Sequence, residues 1–199
     1  SKNVGATVKE VMLAGADKDN YILTVANVTA SITAKTLTVT ATKTYDGTAT
    51  MPATLTGVVA GETVTATITM TSKNAGATVQ SVTLEGADKD NYVVKANGVT
   101  ASITPMVIGV DWEHPYNNSN IITGEPAELL DGDEAMITVT MKYAYVGAAV
   151  QSFEITGKDA GNYSLARADI TAAIIKIIIT DGTHTPNAAT IPPMVPPIW

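Results

Sequence analysis

The chain has 199 residues, a net charge of −7 and no cysteine. A chain without cysteine has no disulfide, no thiolate zinc site and no cysteine nucleophile. An acidic chain with no cluster of Lys or Arg repels phosphate, so we expect no nucleic-acid partner. Threonine is frequent, with 31 residues, and its β-branched side chain favours strands over helices.

The sequence repeats itself at an offset of 71 positions. Residues 1–33 match residues 72–104 at 22 of 33 positions, and a third, more diverged copy continues at the same offset. Four sets of residues align in all three copies, namely Gly5, Gly76 and Gly147; Gly15, Gly86 and Gly157; Asp17, Asp88 and Asp159; and Tyr21, Tyr92 and Tyr163. A fixed period of this kind indicates tandem structural units.

The offset predicts where the units begin and end. We expect an incomplete module at residues 1–34 and two complete modules, at 35–105 and 106–176, that superpose closely. Residues 177–199 contain the start of a further module and a Pro-rich tail. Modules of about 70 residues are marginally stable alone, so neighbouring modules are expected to support one another.

Strand patterns follow one another along the first complete module. Threonine alternates with apolar residues at 36–42 and again at 63–71, which is typical of half-buried strands. Shorter strands are predicted at 79–84, 92–94 and 99–103. Turn residues separate these segments at 45–47, 60–62, 73–76 and 86–88. No stretch has a helical period, so we predict an all-β fold of Ig-like β-sandwich modules, with β-grasp-like modules as the alternative.

The motifs of the repeat occur in a fixed order. They are Tyr45-Asp46-Gly47, Asn74 with Gly76, Gly86-Ala87-Asp88, Asn91-Tyr92 and Ala101-Ser102-Ile103-Thr104. This order resembles the YDG-type repeats of large bacterial cell-surface adhesins and the related MBG-type repeats. The resemblance implies stalk or spacer modules of a secreted or cell-surface protein. The third copy departs from it, because Tyr116-Asn117-Asn118 replaces Tyr-Asp-Gly.

Acidic turns raise the question of a metal site. Asp17-Lys18-Asp19-Asn20 and Asp88-Lys89-Asp90-Asn91 place oxygen atoms at alternate positions, as calcium loops do. The third copy, Asp159-Ala160-Gly161-Asn162, has lost one carboxylate, and no bidentate Glu follows at loop spacing. Because Asp and Asn also form turns with their own backbone, we predict structural turns, with no bound metal and no cofactor.

The tyrosines that follow these turns have a structural interpretation. Tyr21, Tyr92 and Tyr163 are expected to be half-buried, each with a hydroxyl group that holds a loop in place. Binding of a ligand by stacking on these rings is the weaker alternative.

An enzyme is not expected. The two histidines, His114 and His184, have no nearby serine or carboxylate pattern that would form a triad, and two histidines make a poor metal site. The carboxylates Asp131, Asp133 and Glu134 are interpreted as a solvated turn. We therefore predict no catalytic, cofactor-binding or metal-binding residues.

The predicted function is a structural or adhesive repeat region of a bacterial extracellular protein or fibre. An adhesin module that binds a host or matrix protein or glycan is the alternative, and its candidate surface is the set Trp112, Tyr116, Tyr143 and Tyr145. Ice binding by the alternating threonines is a remote alternative, because such threonines are also the ordinary solvent face of a strand. No apolar run approaches the ~20 residues that span a membrane.

The first and last segments suggest a mode of assembly. Residues 1–33 correspond to the second half of a module, which would expose open strand edges. The apolar strand pattern at 174–180 matches the start of a module. We expect this strand of one copy to complete the half-module of the next, which would propagate head to tail. The alternative is that both ends are cuts through a longer array.

Overall fold

The computed structural model describes residues 1–24 and 28–179. This part of the chain contains no α-helix. Its helical segments are three-residue 3-10 helices at Lys18–Asn20, Lys89–Asn91, Ala160–Asn162 and Arg167–Asp169. The remainder of the regular structure is strand, so the all-β prediction is confirmed.

The chain divides into two compact units. Unit 1 comprises Ser1–Val107 and Gly161–Ser164, and unit 2 comprises Ile108–Ala160 and the residues from Leu165 onward. The strands of unit 1 are β1 (Lys35–Thr44), β2 (Thr50–Thr56), β3 (Thr65–Met70), β4 (Val79–Glu85), β5 (Tyr92–Thr104), β6 (Met106–Val107) and β11 (Tyr163–Ser164). The strands of unit 2 are β7 (Val110–Pro115), β8 (Ile121–Gly124), β9 (Met136–Met141), β10 (Val150–Thr156) and β12 (Ile170–Ile175).

The first five strands form one sheet, in the order β4-β3-β2-β1-β5. Strands β1 to β4 pair with one another in antiparallel fashion. Strand β5 returns to lie parallel to β1, from Lys35 opposite Tyr92 to Thr44 opposite Thr104. The strands at the two ends of the order, β4 and β5, also contact each other. The sheet therefore curls around one of its faces.

The face inside the curl is the core of the complete module. Leu37 and Val39 of β1 are fully buried, while the threonines between and beyond them are exposed. Strand β3 repeats this alternation, with Ile68 and Met70 buried. Period-2 patterning thus places the apolar set on one face and the hydroxyl groups on the other, as the alternation of threonine predicted.

Strand β2 is the one strand of this module that the sequence did not predict. The sequence analysis predicted no strand at Thr50–Thr56, a segment that contains Pro52, and proline cannot donate to a ladder. The structure pairs the first half of β2 with β3 and its second half with β1. Pro52 lies in the half that pairs only with β3, opposite Thr67. The missing N–H is tolerated because β2 changes partners along its length.

Unit 2 repeats these pairings at the same offset. Strands β9 and β10 begin and end 71 positions after β3 and β4. Val110 opposite Ile170 repeats Val39 opposite Val99, and both pairs belong to parallel ladders. The sheets of unit 2 are β10-β9-β8 and β12-β7. Its core contains the buried side chains Ile122, Ile137, Val139, Met141 and Ile174.

The first and last described segments contain no strand beyond these. Residues 1–24 contain two turns, at 3–5 and 15–17, and the 3-10 helix, while residues 28–34 form no regular element; most side chains in both segments are exposed. After β12, residues Ile177 to Ile179 are exposed and lie outside any strand. The rest of the predicted tail, with Thr180 and His184, lies outside the described residues. The module bounds drawn from the repeat stay a prediction.

Candidate binding surface

The Tyr-Asp-Gly motif forms a closed turn after β1. Gly47 adopts a φ of 78°, in the left-handed region that favours glycine. The Asp46 carboxylate accepts hydrogen bonds from the backbone N–H and the hydroxyl of Thr48, at 2.9 and 2.8 Å. Lys43 donates to Asp46 Oδ1 at 2.6 Å and to the Thr48 carbonyl at 2.6 Å. The motif is thus a structural turn fixed by one largely buried lysine.

The charge pair in this turn makes stability depend on pH. The hydrogen bond from Lys43 holds the pKa of Asp46 at about 2, with the Thr48 N–H and hydroxyl contributing. Because the folded-state pKa is depressed, the stabilisation is present above the unfolded value of ~3.9 and is lost as pH falls through about 2.

We expect Asp46→Asn to remove this pH dependence. Urea unfolding of the parent should lose stability between pH 4 and pH 2 more steeply than unfolding of the variant. The carboxylate is half exposed, so the difference should be about 1 kcal/mol or less. Asp90→Asn is the matched control, since Asp90 is exposed and forms an ion pair with the adjacent Lys89. Parallel pH profiles for the parent and Asp46→Asn would contradict the assignment.

The third copy keeps the turn with different residues. Asn118 takes the place of Gly47 and adopts a φ of 63°, the only positive φ outside glycine in the described residues. Asn tolerates this conformation better than other side chains do. Asn117 accepts from the Ser119 N–H at 2.9 Å, as Asp46 does from Thr48. His114 replaces Lys43, and its Nε2 is buried with no hydrogen-bond partner in the described chain.

The Asp-x-x-Asn-Tyr segment ties β4 and β5 to the start of β3. Asp88 accepts a hydrogen bond from the Thr63 N–H at 2.9 Å and donates its own N–H to the Thr63 carbonyl. Asp159 makes the same pair of bonds with Glu134. Both carboxylates accept hydrogen bonds from backbone N–H groups, which is typical of a structural turn. No group of three or more His, Asp or Glu side chains suited to a metal ion occurs in the described residues.

Tyr92 fixes the loop between β2 and β3. Its ring is buried, and its hydroxyl donates to Glu62 at 2.6 Å and accepts from the Val59 N–H at 2.9 Å. Burial and the bond to Glu62 raise the pKa of Tyr92, while bonds from Lys2 and Tyr92 lower the pKa of Glu62. Tyr92 therefore holds the loop in place through its hydroxyl group, as the sequence predicted. The prediction of half-burial is wrong for Tyr21, at the equivalent position of the first copy, because its side chain is 69% exposed.

A second contact links one copy of the repeat to the next. The turn at residues 3–6 presents the Val4 N–H to Asn91 Oδ1 at 3.0 Å. The turn at 74–77, one offset later, presents the Ala75 N–H to Asn162 Oδ1 at 2.9 Å. The Asn side chain of the acidic turn thus caps a glycine turn of the preceding copy. The sequence analysis named both motifs but did not join them.

The tyrosines of two motifs also meet in unit 1. Tyr45 of the Tyr-Asp-Gly turn and Tyr163 lie edge to face, with ring centroids 5.6 Å apart. Both rings are buried. Edge-to-face packing of this kind is favourable beyond the area buried. Nearby, Tyr163 and Ser164 pair parallel with Met106 and Val107, as Tyr92 and Val93 pair with Lys35 and Thr36.

The predicted aromatic set of the third copy is only partly a cluster. Tyr143 and Tyr145 stack in parallel with centroids 5.0 Å apart, and both are about half exposed. Lys142 lies over the Tyr143 ring, 5.3 Å from its centroid. Trp112 instead covers Gly124, where any added Cβ would touch the indole. Tyr116 lies in the turn with Asn118.

The remaining predicted residues have ordinary surroundings. Asp133 is buried, and its N–H donates to the Leu130 carbonyl. Glu134 donates its N–H to Asp159. Asp131 is exposed. These carboxylates therefore belong to the turn before β9, as the sequence predicted, but the turn is not fully solvated, because Asp133 is buried.

Comparison with known families gives one match. Residues 28–101 match the family model of the YDG domain, a range that contains strands β1 to β4 and all of β5 except its last three residues. A YDG domain is thus detected in this part of the chain. No curated protein and no solved structure matches the chain. Within the described residues, no helix is long and apolar enough to cross a membrane.

Proposed function

We propose that this protein is a non-enzymatic repeat region of a bacterial extracellular surface protein or fibre. Its role is structural and adhesive: the modules extend the protein and hold their neighbours in register. The match of residues 28–101 to the YDG domain supports this assignment. Asp88 and Tyr92, which the repeat singles out, form hydrogen bonds that fix loops, and this supports a structural role.

The observation that carries the proposal is the recurrence of one contact between copies. Asn91 caps the turn at Val4, and Asn162 caps the turn at Ala75, at the same offset and nearly the same distance. In repeat proteins each unit contacts its neighbours, so a repeated junction favours an array over independent binding domains. The partners of the protein are then neighbouring modules or further copies of itself.

The proposal is tested by determining whether the protein lies on the cell surface. Antibodies against the purified chain are expected to label the surface of intact cells of the source organism, as immunogold electron microscopy would record. Antibodies against a cytoplasmic protein serve as the matched control and should label only permeabilised cells. If these antibodies label the cells only after permeabilisation, the proposal is wrong.

A second candidate is an adhesin module that binds a host or matrix protein or a glycan. It is favoured by the exposed, stacked pair Tyr143 and Tyr145 with Lys142 beside it, because tyrosine supplies rigid contact area in binding surfaces. Trp112 contributes less than the sequence indicated, since it covers Gly124. The candidate requires binding that is lost when both tyrosines become alanine. No contact favours ice binding over an ordinary solvent face for the threonines of β1.

A further inference from the structure

Unit 2 lacks a strand pairing that unit 1 has. In unit 1, the second half of β2 pairs with β1 over three residues, Thr38 to Thr40. In unit 2, strand β8 ends at Gly124 after pairing with β9, and within the described residues β7 pairs only with β12. The second edge of β7, called here the open edge, therefore presents backbone groups that can accept a further strand.

Two differences between the copies account for the open edge. Pro126 replaces Leu55, the middle residue of the three that pair with β1, and proline has no N–H to donate to a ladder. Trp112 replaces Ala41, and its ring lies over Gly124, where an added Cβ would be 3.0 Å from the indole. A proline and a large ring thus separate two segments that are paired in unit 1.

Two cavities lie along the open edge, and Trp112 lines both. One has a volume of about 370 Å³ and is lined in part by residues 109–112 and 127–128. The other has a volume of about 390 Å³ and is lined by residues 111–114 and 122–125. Ligand sites in proteins begin at about 300 Å³, so the space between the two separated segments is large enough to admit part of a partner molecule.

The side chains along the open edge are acidic. Asp111 and Glu113 are exposed and lie two positions apart on β7, so they share one face of the strand. Glu125 and Glu128 are exposed on the separated segment. Among the residues that the structure describes, none of these four carboxylates forms an ion pair. The equivalent residues of unit 1 are Thr40, Thr42, Thr54 and Gly57. Negative charge is thus present where the pairing is lost.

We propose that the open edge of β7 binds an extended, basic segment of a partner protein as an added strand. The backbone of this segment pairs with β7 in antiparallel fashion, as β2 pairs with β1 in unit 1. Lys or Arg side chains at alternate positions of the segment lie opposite Asp111 and Glu113. Opposite charges at such cross-strand positions stabilise the pairing of antiparallel strands.

The charge of the open edge decides which partner fits. An acidic segment would place like charges opposite Asp111 and Glu113, which destabilises strand pairing. A neutral sugar can contact the Trp112 ring, but it leaves the backbone of β7 unpaired and the carboxylates without counter-charges. A basic peptide satisfies both features. The inference rests on the adhesive role proposed above and adds a site and the chemistry of the partner.

A synthetic peptide in which Lys alternates with Thr tests the proposal. Isothermal titration calorimetry with the complete chain should show binding, and Asp111→Asn together with Glu113→Gln should raise the Kd about tenfold. Both side chains are exposed, so folding should be retained, which circular dichroism would check. Asp90→Asn together with Glu154→Gln is the matched control, because it removes two exposed carboxylates elsewhere and should leave the Kd unchanged.

Two further peptides separate charge from strand pairing. A peptide with Glu in place of Lys should not bind, and a Lys-Thr peptide with methylated backbone amides should bind about tenfold more weakly, because it cannot complete a ladder. The proposal is wrong if the parent does not bind the Lys-Thr peptide, if methylation changes nothing, or if the control variant loses as much affinity as the variant at the open edge. Binding of a neutral oligosaccharide in place of the peptide would also overturn it. These results are obtained with purified protein, so they do not depend on the outcome of the surface-labelling experiment.

Discussion

Replacing Gly86 with Ala is expected to lower the free energy of unfolding by about 2–4 kcal/mol. Gly86 has a φ of 110°, a conformation that side chains other than glycine rarely adopt. An added Cβ would also overlap the Thr63 carbonyl, which is backbone and cannot rotate away. The turn that carries Asp88 would have to move away from β3, and the bond from Thr63 to Asp88 would be lost.

Gly61→Ala is the matched control for that variant. Gly61 has a φ of 84°, and nothing lies within 4 Å of its added Cβ. This substitution should therefore cost only the left-handed conformation, about 1 kcal/mol. Urea unfolding of both variants measures the difference. Equal losses would show that the close approach of Gly86 to Thr63 does not govern stability.

Removing the hydroxyl group of Tyr92 is the second change expected to have a large effect. Tyr92→Phe keeps the buried ring but leaves the Val59 N–H without its acceptor and Glu62 with Lys2 as its remaining donor. We expect a loss of about 1–2 kcal/mol in unfolding free energy. The loop between β2 and β3 should also exchange its amide hydrogens faster, which hydrogen-exchange mass spectrometry would detect.

The repeat supplies its own control for Tyr92. Tyr21 occupies the equivalent position in the first copy and is exposed, so Tyr21→Phe should change stability by no more than about 0.5 kcal/mol. If the two variants lose the same amount, the hydroxyl of Tyr92 does not hold the loop.

The strands that alternate threonine with apolar residues were predictable because their period is local. Strands β1, β3 and β4 lie within two residues of their predicted bounds. Strand β5 joins two predicted segments, because the bulge between them is spanned by pairing with β1. The parallel pairing itself joins residues more than 50 positions apart, and nothing in a local pattern indicates such a partner.

The residues of the site could be predicted from the sequence, but their hydrogen-bond partners could not. Aligned copies singled out Asp88 and Tyr92, and the turn chemistry of Asp predicted the structural role. Sequence reasoning missed Thr63 and Val59 as partners because they contribute only backbone groups, which carry no side-chain signal. Glu62 and Asp133 are 71 positions apart, so the two carboxylates align in the repeat. This alignment was a signal in the sequence that position 62 has a structural role. The link from Asn91 to Val4 joins different copies, so no single module contains it.

The parallel ladder between β1 and β5 determines how the module resists force. Because the strands run in the same direction, Lys35 at the start of β1 and Thr104 at the end of β5 lie at opposite ends of the ladder. A load that pulls these two residues apart slides one strand along the other. The hydrogen bonds of the ladder are then strained in shear and share the load, whereas bonds pulled open from one end break one after another. Each module is therefore shaped to remain closed when its ends are under tension.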